Sequence, residues 1–488
     1  MPLKWASVPL LALLWSASAA LAGPAFENTA VVRTVDLGGA VVHVTTTYAV
    51  KTLEKNAKIY TVALGMEDMS KTSWIEAKLK GEDDRLKISE RVEDNYAYID
   101  VALPKALPAG QSFNLVLETV QTHATKPWPE YASQTDEQKL KYSTDLFVLS
   151  PYSTTVQRTK LRAMSPRVVS FTEPQDVDAF ISDSLVNRSG GVVTYGPFNN
   201  IPASTNADFL QKYQQPIMIH YRHEQPVVEV SEYKRAVEVS HWGANLNTQD
   251  EITLHNAGPK LKGHFSRLEH QKQAYLKQAA PHVLPALQLG LPAGIRDPYY
   301  YDQIGNVSTS RLRVAPLPPK GSQGAQQSVL ELKPRYPLMG GWNYSFTLGY
   351  DTPLESSLGY DSRTGLYSLA VPIFTPMPGS VINHEELKIV LPEGATDVDF
   401  VTPYPPQSSS TGTHYTYLDT TGRPIITLEY KDLTVKHVGE VYVTYRVPFF
   451  SHIRKALSVG TATFFLFAFA VVLRRISFSI GGSKQKSK

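Results

Sequence analysis

Two Asp-Val-Asp triplets, Asp176/Asp178 and Asp397/Asp399, have the residue types and spacing best suited to chemistry. On an extended strand alternate side chains share a face, so both carboxylates of a triplet would point the same way. Such a pair can hold the divalent metal of a sugar transferase. Short acidic patterns also arise often on solvated strands and turns, and that reading is favoured over metal binding. His220 and His223 likewise read as surface or satisfied histidines before metal ligands. The chain has no His-Glu-x-x-His pair, no phosphate-cradling glycine loop and no Gly-x-Ser-x-Gly elbow. It also has no cysteine, which removes a thiol nucleophile and a zinc ribbon. No catalytic, cofactor-binding or metal-binding residue is therefore expected, and no cofactor.

Two modification patterns stand apart from catalysis. Asn187, Asn306 and Asn343 each open an Asn-x-Ser triplet without a central proline, so each can accept an N-glycan if exposed. Near the far end, Lys484 and Lys486 stand in Lys-Gln-Lys-Ser-Lys. That spacing matches a dilysine signal for retrieval to the endoplasmic reticulum; the competing reading is a tail made basic only to fix topology.

The elements around these residues set the compartment. Lys4, the apolar run Trp5–Leu14 and small residues ending at Ala22 have the order of a secretory signal, with cleavage expected after Ala22. Residues 456–473 carry no charge and centre on Phe464-Phe465-Leu466-Phe467-Ala468-Phe469. Eighteen residues rise about 27 Å, enough for a thin bilayer. Arg474, Arg475, Lys484, Lys486 and Lys488 follow, against Arg454 and Lys455 before the run. The basic bias predicts a single-pass type I protein whose residues 474–488 form a short basic cytosolic tail.

The formal net charge is +3, and leaving out Lys4 and the five basic tail residues brings the remainder to about −3. A body so close to neutral excludes a dedicated nucleic-acid binder. Alternation predicts half-buried antiparallel strands: Val42, Val44, Tyr48 and Val50; Ala97, Ile99, Val101 and Leu103; Phe113, Leu115 and Leu117; Val441, Val443, Tyr445 and Val447. A hairpin is expected between Tyr415–Leu418 and Ile425–Leu428. Thr135 with Gln138, and Ser266 with Glu269, are possible capping boxes, the second opening a helix from Arg267 to Gln278. No repeat period is visible. The fold class expected is mainly β: two antiparallel β-sandwich-like lumenal domains, residues 23–230 and 231–455, followed by one transmembrane helix.

Several stretches, in order along the chain, resemble the ribophorin I family. They are Val32–Leu37, Glu238-Val239-Ser240-His241-Trp242-Gly243, Leu261–Gly263 with Phe265–Arg267, and Tyr299–Ser310. Pro334–Leu338 with Gly340–Trp342, Leu391–Ala395, and His414–Asp419 with Gly422–Pro424 complete them. The resemblance implies a non-catalytic subunit of oligosaccharyltransferase, which transfers a preassembled glycan from dolichyl diphosphate to Asn-x-Ser/Thr of nascent chains in the lumen of the endoplasmic reticulum. It implies contact with the catalytic subunit and the small membrane subunits, with nascent polypeptides and with the translocon. Animal members continue into a long cytosolic domain; this tail is short, as in the fungal form. The loops of Trp242 and Trp342 are expected to close β-domain cores, ahead of serving as sugar or partner platforms. Two rival classes remain: a glycosyl-transferring enzyme using an Asp-Val-Asp pair, and an independent lumenal cargo receptor or chaperone.

Overall fold

The structure is a computed structural model that describes residues 25–476, apart from 94–95, 182–184, 205–206, 277–279, 281, 319–325 and 417–418. The expected signal, Lys484 and Lys486 lie outside the described residues. The first half comprises β1 (Phe26–Leu37), β2 (Val41–Thr52), β3 (Ala57–Gly65), α1 (Met66–Lys71), β4 (Thr72–Leu79), β5 (Ile88–Glu93), β6 (Tyr96–Leu107), β7 (Ser112–Thr122), β8 (Thr125–Pro127), β9 (Tyr131–Ala132), β10 (Lys139–Asp145), β11 (Thr154–Ala163), β12 (Val168–Phe171), β13 (Val186–Ser189), β14 (Val192–Ile201), α2 (Ala207–Tyr213) and β15 (Pro216–Arg222). The second comprises β16 (Val228–Ser240), β17 (Asn245–Asn256), β18 (Lys260–Leu261), α3 (Arg267–Tyr275), β19 (Leu287–Leu291), β20 (Arg296–Asp302), β21 (Gly305–Asn306), β22 (Arg311–Arg313), β23 (Ser328–Leu332), β24 (Asn343–Pro353), β25 (Leu358–Asp361), β26 (Leu366–Pro372), β27 (Val381–Val390), β28 (Thr396–Val401), β29 (Ser408–His414), β30 (Arg423–Leu433), β31 (Glu440–Arg446) and α4 (Phe449–Arg475).

The alternating residues form the cores as the pattern requires. In the first half a seven-stranded sheet, β13-β14-β11-β1-β2-β7-β4, carries two smaller sheets, β12-β15-β10-β8 and β3-β6-β5. Both cover the same face of it. Val42 and Val44 of β2 belong to the core with Leu140 and Tyr142 of β10. Tyr48 and Val50, further along that face, pack with Tyr60 of β3 and Ile99 of β6.

The second half repeats this plan strand for strand. Its large sheet runs β29-β30-β27-β16-β17-β24-β20, with β21 added at the edge. Its smaller sheets are β28-β31-β26-β25 and β19-β23-β22. In each half the first strand pairs antiparallel with the second and parallel with a later one, β1 with β11 and β16 with β27. Even the bulges recur, after Asn28 in β1 and after Val230 in β16. The two halves are copies of one fold, a correspondence that the alternation of apolar residues does not reveal.

Two local expectations change and a third is met. No helix follows Thr135: Gln138 is buried and donates to the carbonyls of His223 and Gln225 before β10 begins. The hairpin into β30 exists, but its first arm is Ser408–His414, with His414 opposite Arg423. Tyr415 lies beyond the strand. Ser266 does cap α3, its Oγ accepting from the Glu269 amide at 3.3 Å.

The halves join through specific contacts. β9 pairs in parallel with β18, Lys436 meets Glu118 at 2.9 Å, and His437 reaches the carbonyl of Ser73. His123, just after β7, stands between Glu229 of β16 and Asp432 of β30, at 3.3 and 3.5 Å. Those two carboxylates hold its imidazole up at about 10, against the opposing effect of burial.

Candidate functional site

A dense set of polar contacts lies where the second half meets α4. β16 ends at Ser240 and turns through His241-Trp242-Gly243. The Ser240 hydroxyl accepts the Gly243 amide, and Ala244 takes a left-handed conformation at φ 49°. This turn places the His241 ring over His452 in the first turn of α4, centroids 5.4 Å apart. His241 also packs on Tyr367, and its Nε2 lies 2.9 Å from the Tyr445 hydroxyl. Burial and the neighbouring His452 push its pKa down to about 4. Trp242 Nε1 donates to the His452 carbonyl at 2.8 Å.

Beside this turn two buried carboxylates face Lys455, which directly precedes the apolar run. The Asp419 side chain is fully buried and accepts from Lys455 Nζ at 2.6 Å and from the amide and hydroxyl of Thr416. Burial opposes its ionisation, but these donors and Arg423 outweigh it and hold the carboxyl down at about 2. Glu393 accepts from the amides and hydroxyls of Thr420 and Thr421, and stands 3.9 Å from Lys455. Arg454 donates to the Thr421 hydroxyl. Gly394, at φ 78°, lets Ser451 come so close that a Cβ there would sit 2.4 Å from its hydroxyl. A cavity of about 140 Å³ remains between His241, Trp242, Glu393, Arg423, His452 and Lys455.

This arrangement is a clamp. It ties the start of a long apolar helix to three loops of a β-sandwich by charge-assisted and ring contacts. The stretches Glu238–Gly243, Leu391–Ala395, His414–Asp419 and Gly422–Pro424, scattered in sequence, meet here. α4 starts before the expected span, at Phe449, and none of its residues is buried. Its best window has a mean hydropathy of 2.2, which fits a single-pass membrane protein.

The residues singled out for chemistry are dispersed. Asp176 is left-handed at φ 58° and Asp178 opens a short 3-10 turn, both exposed. Asp397 is left-handed at a bulge of β28 and pairs with Arg446 at 3.2 Å, while Asp399 accepts from the amide of Phe400. Neither triplet is therefore the extended, same-faced pair that metal binding would require. Among the described residues no three His, Asp or Glu side chains converge as a metal site. His220 bonds to the Trp128 carbonyl, and His223 is buried with its pKa pushed down to about 4 by desolvation.

Asn187, Asn306 and Asn343 are all exposed, the last with its side-chain oxygen against His255. Trp342 does pack against a core, beside Phe265. Trp242 does not: it is 70% exposed, because its turn projects past the sheet toward α4. The clamp itself escaped the sequence reading. The only signal for it was the pair Arg454-Lys455 directly before an uncharged run.

The ribophorin I family model matches residues 26–474. A Caenorhabditis elegans protein named dolichyl-diphosphooligosaccharide–protein glycosyltransferase subunit 1 is 31% identical over 475 residues, covering 96% of this chain and 75% of the relative. The subunit 1B protein of Oryza sativa subsp. japonica is 33% identical over 363 residues, covering 74% and 70%. Among solved structures, native leukotriene A4 hydrolase from Saccharomyces cerevisiae aligns at a TM-score of 0.26 and 12% identity, over 40% of this chain and 29% of that one. With a family model spanning both halves and the clamp into α4, the chain belongs to the ribophorin I family.

Proposed function

We propose that this chain is a non-catalytic subunit of the oligosaccharyltransferase complex in the endoplasmic reticulum membrane, with both β halves in the lumen. In this role it supports transfer of a glycan from dolichyl diphosphate to Asn-x-Ser/Thr of nascent proteins. Its relatives carry the name of that transferase's subunit 1. The observation that carries the reading is the pairing of the clamp with an apolar run that stays exposed beyond Lys455. Such a run offers its sides to other membrane helices, while the clamp transmits their position to a broad β platform. The catalytic and small membrane subunits are the expected neighbours of α4, and nascent polypeptides of the platform.

Orientation has support from charge. Arg454 bonds to Thr421 and Lys455 pairs with Asp419, whereas Arg474 and Arg475 follow the apolar run. The excess of basic residues on the far side favours the cytosol there. Purification of the tagged chain in mild detergent tests the assignment. A multi-spanning catalytic partner should accompany it; recovery of the chain alone would favour a free cargo receptor or chaperone. Transfer activity should persist in complexes carrying Asp176→Ala and Asp397→Ala, and loss of chemistry with assembly intact would make this chain an enzyme.

A further inference from the structure

We propose that the Trp242 turn inserts into the phospholipid headgroup layer of the membrane that α4 crosses, with Phe449 and Phe450 just outside it. The inference needs only that α4 spans a bilayer, not the transferase assignment. Trp242, Phe449 and Phe450 are 70%, 72% and 76% exposed, and the two phenylalanine rings lie 6.2 Å apart. Large exposed aromatics clustered in a soluble setting are costly to hydrate.

Their place along the helix identifies the occupant. Trp242 is fixed to the His452 carbonyl, and His452 precedes Ala456 by four residues, about 6 Å along the axis. A headgroup layer is roughly 5–7 Å deep on each side of the hydrocarbon. Trp242 therefore sits at that depth, while Phe450 and Phe449, six and seven residues before Ala456, lie about 9 and 10.5 Å out, just beyond the layer. An indole is suited to this layer, since its body is apolar while its N–H needs an acceptor, here the helix carbonyl. The positive charges at the same level, Arg454 and Lys455, are held by Thr421 and Asp419, so they do not draw this face away into water. Tyr360 extends the aromatic surface. It is exposed and packs on Tyr367, which in turn meets His241.

The chain contains no cysteine, so a single introduced one can be labelled uniquely. The full chain is reconstituted in phosphatidylcholine nanodiscs as Trp242→Cys, Phe450→Cys or Ile304→Cys, each bearing a nitroxide. Ile304, in the β20–β21 turn toward the other end of the large sheet, is 79% exposed and serves as the aqueous reference. The ratio of collision with oxygen to collision with a water-soluble nickel chelate should be several-fold higher at 242 than at 304, with the value at 450 between the two. A ratio at 242 and 450 equal to that at 304 would place the turn in water and overturn the proposal. Low access to both reagents would place it under protein and overturn it equally. Because the two labelled sites lie on different elements, misfolding of one variant leaves the other to decide.

Discussion

Arg33 and Arg235 occupy the same position in the two copies of the fold. Each lies four residues beyond the bulge residue of the first strand, and each is buried. Each donates to the carbonyl that ends the corresponding strand of a smaller sheet, Arg33 to Asp145 and Arg235 to Pro372. A strand that stops in the interior leaves backbone acceptors without partners, and the guanidinium supplies five donors at one point. The copies differ in what balances the charge. Opposite Arg235 on β17 is Asp250, fully buried and bonded to it at 2.6 and 2.7 Å; opposite Arg33 on β2 is Thr46.

Asp250→Asn should therefore destabilise the second half strongly. Removing one member of a buried pair typically costs about 3–5 kcal/mol. Thermal or urea unfolding of the purified chain checks it, and Thr46→Ala at the matching site should cost far less.

The duplication also predicts a stabilising change. Glu385 faces Tyr233, and Gln157 faces Val31 at the matching place. Burial pushes the Glu385 carboxyl well up, only partly countered by Arg235, and neither oxygen has a hydrogen-bond partner. Above the ordinary glutamate value of 4.5 the unfolded chain gives up a proton that the folded chain keeps, so stability falls as pH rises from there. Glu385→Gln should raise the unfolding midpoint at pH 7 and flatten this pH dependence.

His123 gives the contact between the halves a pH signature of the opposite origin. Its pKa is raised from 6.5 to about 10, so its stabilisation is complete below 6.5 and fades as pH climbs through 10. The gap in unfolding midpoint between wild type and His123→Ala should be widest near pH 6 and close toward pH 10. Melting curves across that range measure it.

At the clamp, Lys455→Ala leaves Asp419 buried without its ammonium partner. Losing a hydrogen bond to a charged group costs about 1.5–3 kcal/mol, and Asp419→Asn should behave similarly. The Asp419 contribution should itself disappear as pH falls from about 4 toward 2, because its folded carboxyl titrates at about 2. Protease sensitivity of the segment just before α4 would report the loosened junction.

Glycan occupancy is checked by mass. Asn187→Gln, Asn306→Gln and Asn343→Gln should each remove one enzymatically releasable step from the protein expressed through the secretory pathway. An unchanged ladder for any one marks that acceptor as unused.

The strands were legible because period two is a local signal. Ala97, Ile99, Val101 and Leu103 are all buried, as their alternation requires. Thr135 and Gln138 misled because a capping-box pattern says nothing of where a glutamine side chain finds its partners, here across the fold near β15. The duplication was hidden because the copies preserve backbone topology and not side chains: Val32-Arg33-Thr34 matches Lys234-Arg235-Ala236 only at the arginine. The clamp was hidden for a different reason. Its members run from His241 to Lys455, and only folding brings them within bonding distance.

The clamp also fixes an angle. Lys455 bound by Asp419, and the His452 carbonyl bound by Trp242, prevent the first turn of α4 from spinning about its axis. Each helical residue advances about 100° around that axis. The side of the apolar run that faces any given direction is therefore set by counting residues from Lys455. One alanine inserted after Lys455 would swing the whole run by about 100° while the β platform stayed in place; four would bring it back to within about 40°. The junction thus gives the helix a compass bearing.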